Sequence, residues 1–301
     1  MKALRTPEDR FTRLPAYDFE PHYVDIDGLR MHCVDDGPAD AAPVLLLHGE
    51  PSWSYLYRKM IPPIAAAGHR VIAPDLIGFG KSDKPAAQRD YSYAAHVDWM
   101  RQFIETLDLT NITLFCQDWG SLIGLRVAAE NGHRFGRIVL GNGAMPTGDQ
   151  EMLRAFRTWR AFARWSPWFP IGRIVQAGTV TDLPADVVAA YDAPFPSASY
   201  KAGARAFPRL VPARPDDPAS AANRRAWEVL RKWDRPFLTT FSNRDPITRG
   251  LDKTFQERVP GARGREHVKI RNAGHFLQED KGEELAEVLI RFVAETNEVD
   301  H

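Results

Sequence analysis

Three side chains far apart in a 301-residue sequence, Asp118, Asp245 and His275, are the ones around which covalent chemistry can be built. Cys116-Gln-Asp-Trp-Gly120 stands between an apolar run and a helix-like stretch. Strand, sharp turn and helix in that order present one side chain above the edge of a sheet. A hydroxyl nucleophile usually occupies that point, and here it is Asp118. A carboxylate is ionised at neutral pH and attacks carbon without a base, leaving an ester for later hydrolysis. An isolated Asp before a helix is more commonly a cap, so the reading depends on what the rest of the chain supplies.

Two other segments end in suitable residues, and a third supplies donors. His48-Gly-Glu50 follows the apolar run Pro43–His48, and such a turn can free backbone N–H groups to hold an oxyanion. The donors would be Glu50 and Trp119, although the same turn also serves as a plain strand-to-helix connection. Ala273-Gly-His-Phe-Leu277 follows the last strand signal. Of nine histidines, His275 alone stands at the carboxyl end of a late strand just before the final helix. His48 belongs to a turn, His96 to a helix, and His22, His32 and His69 to strand starts or edges. His133, His267 and His301 have polar neighbours. Asp245 follows the preceding strand and can orient His275, although Asp before Pro also makes turns. The order 118, 245, 275 is that of a nucleophile–acid–histidine triad on an α/β-hydrolase sheet.

The elements needed to hold these residues are legible. His22–Ile26 and Arg30–Asp35 read as strands joined at Asp27-Gly28. Pro43–His48, His69–Asp75, Asn111–Gln117, Arg137–Gly143, Pro236–Ser242 and Val268–Asn272 add six more. Helices are predicted at Tyr55–Ala67, Tyr93–Leu107, Ser121–Asn131 and Gly282–Thr296. This alternation predicts a mostly parallel eight-stranded sheet with helices on both faces. Between about Thr147 and Ala222 the strand pattern gives way to Trp, Phe, Arg and Pro, the mark of a helical insert. The expected division is a main domain of residues 1–146 and 223–301 with a helical cap of 147–222.

Composition narrows the class. The chain is 44% hydrophobic and 26% charged, with 39 basic and 39 acidic side chains, so no broad field invites nucleic acid or anionic lipid. The N-terminal residues lack the apolar core of a signal peptide, and no 18-residue apolar run crosses a membrane. Cys33 and Cys116, inside apolar segments, read as buried free thiols of a reducing, cytoplasmic setting. No HExxH-like metal spacing is present, and no metal or cofactor is expected. The oligomeric state is not written in the sequence, and a monomer is compatible with it.

HGEPSW (48–53), DLIGFGKSDKP (75–85), CQDWG (116–120), YDAPFP (191–196) and NAGHF (272–276) are similar to motifs of the haloalkane dehalogenases, and the resemblance runs nearly the full length. It implies the α/β-hydrolase fold and cleavage of carbon–halogen bonds, with a haloalkane, water and halide as the only partners. It also implies a halide site made by two indole N–H groups. Trp119 follows the nucleophile. The second comes from the cap and, by its setting in Thr-Trp-Arg-x-Phe, is Trp159, with Trp165 as rival. One subfamily places the triad acid after the strand before the insert, where Asn142 stands here and cannot serve, which favours Asp245. Phe156, Phe162, Trp165, Trp168 and Phe169 are candidates for the pocket wall, or for core between cap and main domain. An epoxide hydrolase has the same triad and needs an acid such as Tyr191 or Tyr200, but Gln117 stands where those enzymes usually carry His. A non-catalytic ligand receptor on this fold is a third reading, against which the triad is complete.

Overall fold

The computed structural model describes residues 1–297; His301 lies outside them. In chain order the elements are β1 (Ala3–Leu4), β2 (Pro21–Ile26), β3 (Leu29–Asp36), β4 (Pro43–Leu47), α1 (Ile61–Ala66), β5 (Arg70–Pro74), β6 (Lys84–Pro85), α2 (Tyr93–Thr106), β7 (Ile112–Asp118), α3 (Trp119–Glu130) and β8 (Phe135–Gly143). After β8 come five helices: α4 (Arg154–Trp165), α5 (Ile171–Ala177), α6 (Ala185–Asp192), α7 (Ala202–Leu210) and α8 (Ser220–Leu230). The chain then returns through β9 (Phe237–Ser242), α9 (Asp252–Arg258), β10 (Val268–Ile270) and α10 (Leu277–Asn297).

Eight strands form one sheet in the order β10-β9-β8-β7-β4-β5-β3-β2. The six from β10 to β5 run parallel, and β3 and β2 close the edge antiparallel. All five residues of β4 are buried, as an apolar strand covered by helices on both faces requires. Asp27 and Gly28, at φ 55° and 76°, make the turn between β2 and β3. Both cysteines are buried and free. Among the described residues no helix is long and apolar enough to cross a membrane.

Some elements differ from the sequence reading. The helix expected over Tyr55–Ala67 is a 3-10 turn at Ser54–Tyr57 followed by the short α1. Pro62 and Pro63 explain the break, since proline fits only a helix's first turn. The last helix begins at Leu277 rather than Gly282 and is interrupted at Lys281, whose φ of −147° is not helical. The β1–β6 pair and α9 were not anticipated. β1 and β6 are only two residues long, too short to show a period.

Parallel strands point their carboxyl ends the same way. The segments after β4, β7, β8, β9 and β10 therefore meet at one sheet edge, where ligand sites of open α/β sheets form.

Candidate active site

Asp118 ends β7 and precedes α3 with φ 49° and ψ −124°, a conformation costly for a residue with a Cβ. The ladder to β8 shifts register between Gln117 and Asp118, where the backbone turns out of the sheet. The Asp118 side chain makes no capping bond to α3, so the cap reading fails. Its carbonyl is satisfied by Ser121 Oγ at 2.6 Å. Two glycines permit the tight approach. A Cβ on Gly120 would sit 2.0 Å from the Leu47 carbonyl oxygen, and one on Gly49 would sit 2.4 Å from Asp118 Cβ.

The sequence-predicted residues come together here. The Glu50 backbone N–H donates to Asp118 Oδ1 at 2.8 Å. Asp118 Oδ2 lies 3.4 Å from His275 Nε2, and His275 Nδ1 lies 3.0 Å from Asp245 Oδ2. Asp245, 2% exposed, also accepts from the Ile247 N–H at 2.8 Å and from the Thr248 hydroxyl. Asn142 holds the loops in place, its Nδ2 donating to the carbonyls of Gly274 at 2.9 Å and His275 at 3.0 Å. Gln117 Nε2 lies 3.2 Å from both the His275 carbonyl and its Nε2. The roles of Gln117 and Thr248 carried no sequence signal, because each depends on a partner more than 150 residues away or on the fold of one loop.

Burial opposes charge on His275, but the neighbouring Asp245 and Asp118 carboxylates outweigh it and raise its pKa to about 10. With both carboxylates charged, the resting ring is thus favoured as imidazolium. Burial would raise Asp245, yet His275 and the Thr248 and Ile247 donors bring it below its ordinary value. The Glu50 carboxyl is pushed well above the usual range by burial and by Asp118, against the pull of His275 and the Trp159 indole. Its Oε1 has no hydrogen-bond partner. An acid group with a raised pKa beside Asp118 was not anticipated.

Two spaces that share part of their lining flank Asp118. An inner chamber of about 130 Å³ is lined by Glu50, Asp118, Trp119, Leu122, Phe156 and Trp159, among others. An outer one of about 440 Å³ shares Glu50, Asp118, Phe156 and Trp159 and adds His275, Phe162 and Trp168. Trp119 is packed edge-on against Tyr93 and tilted on Phe207 of α7, with centroids 5.2 and 4.4 Å away. Trp159 stacks on Phe162 and Phe169 at 5.7 and 5.8 Å. Trp165, counted among the pocket candidates and as rival to Trp159, lines neither chamber and is 71% exposed. It is the twelfth and last residue of α4 and falls on the outer stripe of that helix. Phe169 lines neither chamber and is buried core. Tyr191 and Tyr200 are also absent from both walls. The Tyr191 hydroxyl donates to Glu279 instead. No group of three or more metal-ligating side chains occurs among the described residues.

A profile described as the alpha/beta hydrolase fold matches residues 42–282. A haloalkane dehalogenase of Psychrobacter cryohalolentis is 57% identical over 298 residues, covering 97% of this chain and 98% of its own. One from Mycobacterium marinum is 57% identical over 295 residues, 96% and 99% of the two chains. A solved structure, the tetrameric haloalkane dehalogenase of Paraglaciecola agarilytica, superposes with a TM-score of 0.90 at 40% identity, covering 95% of this chain and 97% of that one. The chain belongs to the haloalkane dehalogenases of the α/β-hydrolase fold.

Proposed function

We propose that the chain hydrolyses haloalkanes to an alcohol, a halide ion and a proton, with residues 147–222 as the cap over a site in the main domain. Asp118 attacks the halogen-bearing carbon. The C–O bond forms as the carbon–halogen bond breaks, giving an alkyl ester and free halide. Halide is a weakly basic leaving group and needs no proton, only donors for its developing charge in an apolar space. The indole N–H groups of Trp119 and Trp159 supply these, being donors only and carried on apolar rings. The start of α3 adds positive potential.

Esterification removes the Asp118 charge that helped keep His275 protonated, so the imidazolium releases its proton to solvent and becomes a base. It takes a proton from water, whose oxygen attacks the ester carbonyl, while the N–H groups of Glu50 and Trp119 hold the oxyanion. Collapse expels the alkoxide, which takes the proton of the carboxylic acid just formed at Asp118, giving the alcohol and restoring the carboxylate beside the imidazolium. The observation that carries this reading is a carboxylate held by the Glu50 N–H at 2.8 Å and facing His275 at 3.4 Å inside a largely apolar cavity.

The variant His275→Phe separates the steps. With 1,2-dibromoethane it is expected to release one bromide per site and stop, with the alkyl adduct visible in the intact-protein mass. An unmodified mass together with normal turnover would refute His275 as the base.

A further inference from the structure

Helix α4 has two faces with different fates. Phe156, Trp159 and Phe162 face the chambers. Arg154, Arg157, Thr158, Ala161, Arg164 and Trp165 are exposed, at spacings of three and four that put them on one stripe. Trp165 at 71% and Trp168 at 68% are as open to water as the N-terminal Met1 at 72%, although large apolar side chains are ordinarily covered. Leu153, Pro167 and Val180 are exposed nearby. From residue 152 to 181 the chain carries five arginines and no acidic side chain. Glu151, just before α4, lies 3.4 Å from Arg157 with both side chains open to solvent, Asp182 follows the segment, and Asp280 accepts from the Val180 N–H at 3.0 Å. Arg164 lies over the Trp165 ring at 4.6 Å. Equal totals of acid and base thus conceal a local basic, aromatic face.

This face adjoins the outer chamber, whose lining includes the exposed Trp168, Arg173 and Val180. We propose that the α4 face docks on an anionic lipid surface, Trp165 and Trp168 entering the headgroup level while Arg154, Arg157 and Arg164 meet lipid phosphates. Indoles favour the boundary between apolar and wet phases, and basic side chains concentrate near anionic headgroups. Docking would turn that side of the outer chamber toward the phase into which apolar haloalkanes partition; that delivery rests on the proposed activity, whereas the docking does not. A second copy of the chain is the poorer occupant, because a two-fold contact would oppose arginine to arginine. Nucleic acid would take the arginines but not the aliphatic surround of the indoles.

The test is co-sedimentation of the full chain with phosphatidylcholine vesicles, with and without phosphatidylglycerol, in the absence of haloalkane. Binding is expected only with phosphatidylglycerol, and raised salt should release it. The triple variant R154E/R157E/R164E, and separately Trp165→Ser, should each lower the bound fraction by about tenfold or more. Neither should change turnover of dissolved substrate, since none of the four residues lines a chamber. Loss of turnover in the unmodified chain would strike the dehalogenase reading and leave the docking result standing. Absence of binding to phosphatidylglycerol vesicles at low salt overturns the proposal. So does binding that survives charge reversal, preferential capture of single-stranded DNA, or a concentration-dependent dimer that the same variants dissolve.

Discussion

Asp118 meets three demands at once: a positive φ that lifts it from the sheet, a backbone donor on one oxygen, and His275 facing the other. The turns that carry Asp118, Asp245 and His275 are each written in a few neighbouring residues, which is why the elbow and the His275 and Asp245 loops were legible from short motifs. The halide-site expectation is a matter of single donors. Trp119→Phe and Trp159→Phe each replace the indole by a smaller aromatic ring without an N–H. Each should lower kcat on the order of a hundredfold if the donor acts in the transition state. Steady-state bromide release decides it, and an unchanged rate for Trp159→Phe would remove that residue from the site. The Glu50 side chain was not legible, because its protonation depends on burial and on Asp118, which lies 68 positions further along the chain. The exposure of Trp165 was equally hidden, because Trp159 and Trp165 share a helix and only the three-dimensional packing says which faces inward.

At the scale of elements, the helical segment after β8 and the main sheet are tied near His275. Asp280, at the start of α10, accepts from the Gly274 N–H at 2.8 Å and from the Thr181 N–H, beyond α5, at 2.7 Å. Its neighbour Glu279 is fully buried and pairs with Arg58, Nη2 to Oε2 at 2.9 Å, and with the Tyr191 hydroxyl of α6. Removing one charge of a buried pair leaves the other uncompensated, so Glu279→Gln should destabilise the fold by about 3 kcal/mol. Denaturant unfolding measures this, and a loss near zero would mean that Arg58 finds water. Periodicity located all eight strands of the sheet and the helices after β5 and β7, because apolar runs and amphipathic stripes are read over neighbouring residues. It did not show these ties. Arg58 and Glu279 look like ordinary surface residues in sequence and Tyr191 like a candidate acid, and all three acquire their roles from partners 88 and 221 positions apart.

For the whole molecule, the raised pKa of His275 links the site to stability. A group near 6.5 unfolded and about 10 folded stabilises the native state fully below pH 6.5 and loses that contribution as pH rises through 10. Lys84, lowered by burial to about 7, works in the opposite direction over an overlapping range, so the wild type must be compared with His275→Phe rather than judged alone. The stability difference between the two is expected to shift in favour of His275→Phe as pH climbs from 6.5 to 10. A difference constant with pH would show that His275 is not held as imidazolium. Composition spoke at this scale too, but only of totals. It excluded a uniformly charged molecule and said nothing of where the charges lie.

Oxygen tracing over a single turnover tests the central claim, that Asp118 becomes esterified, most directly. With enzyme in excess over a bromoalkane in water enriched in oxygen-18, hydrolysis at the ester carbonyl keeps the carboxylate oxygen on the alkyl carbon. The first alcohol should therefore carry unlabelled oxygen, and the label should appear in the peptide containing Asp118. Labelled alcohol in the first turnover with an unlabelled peptide would mean that water attacks the substrate carbon itself, and the covalent account would be wrong.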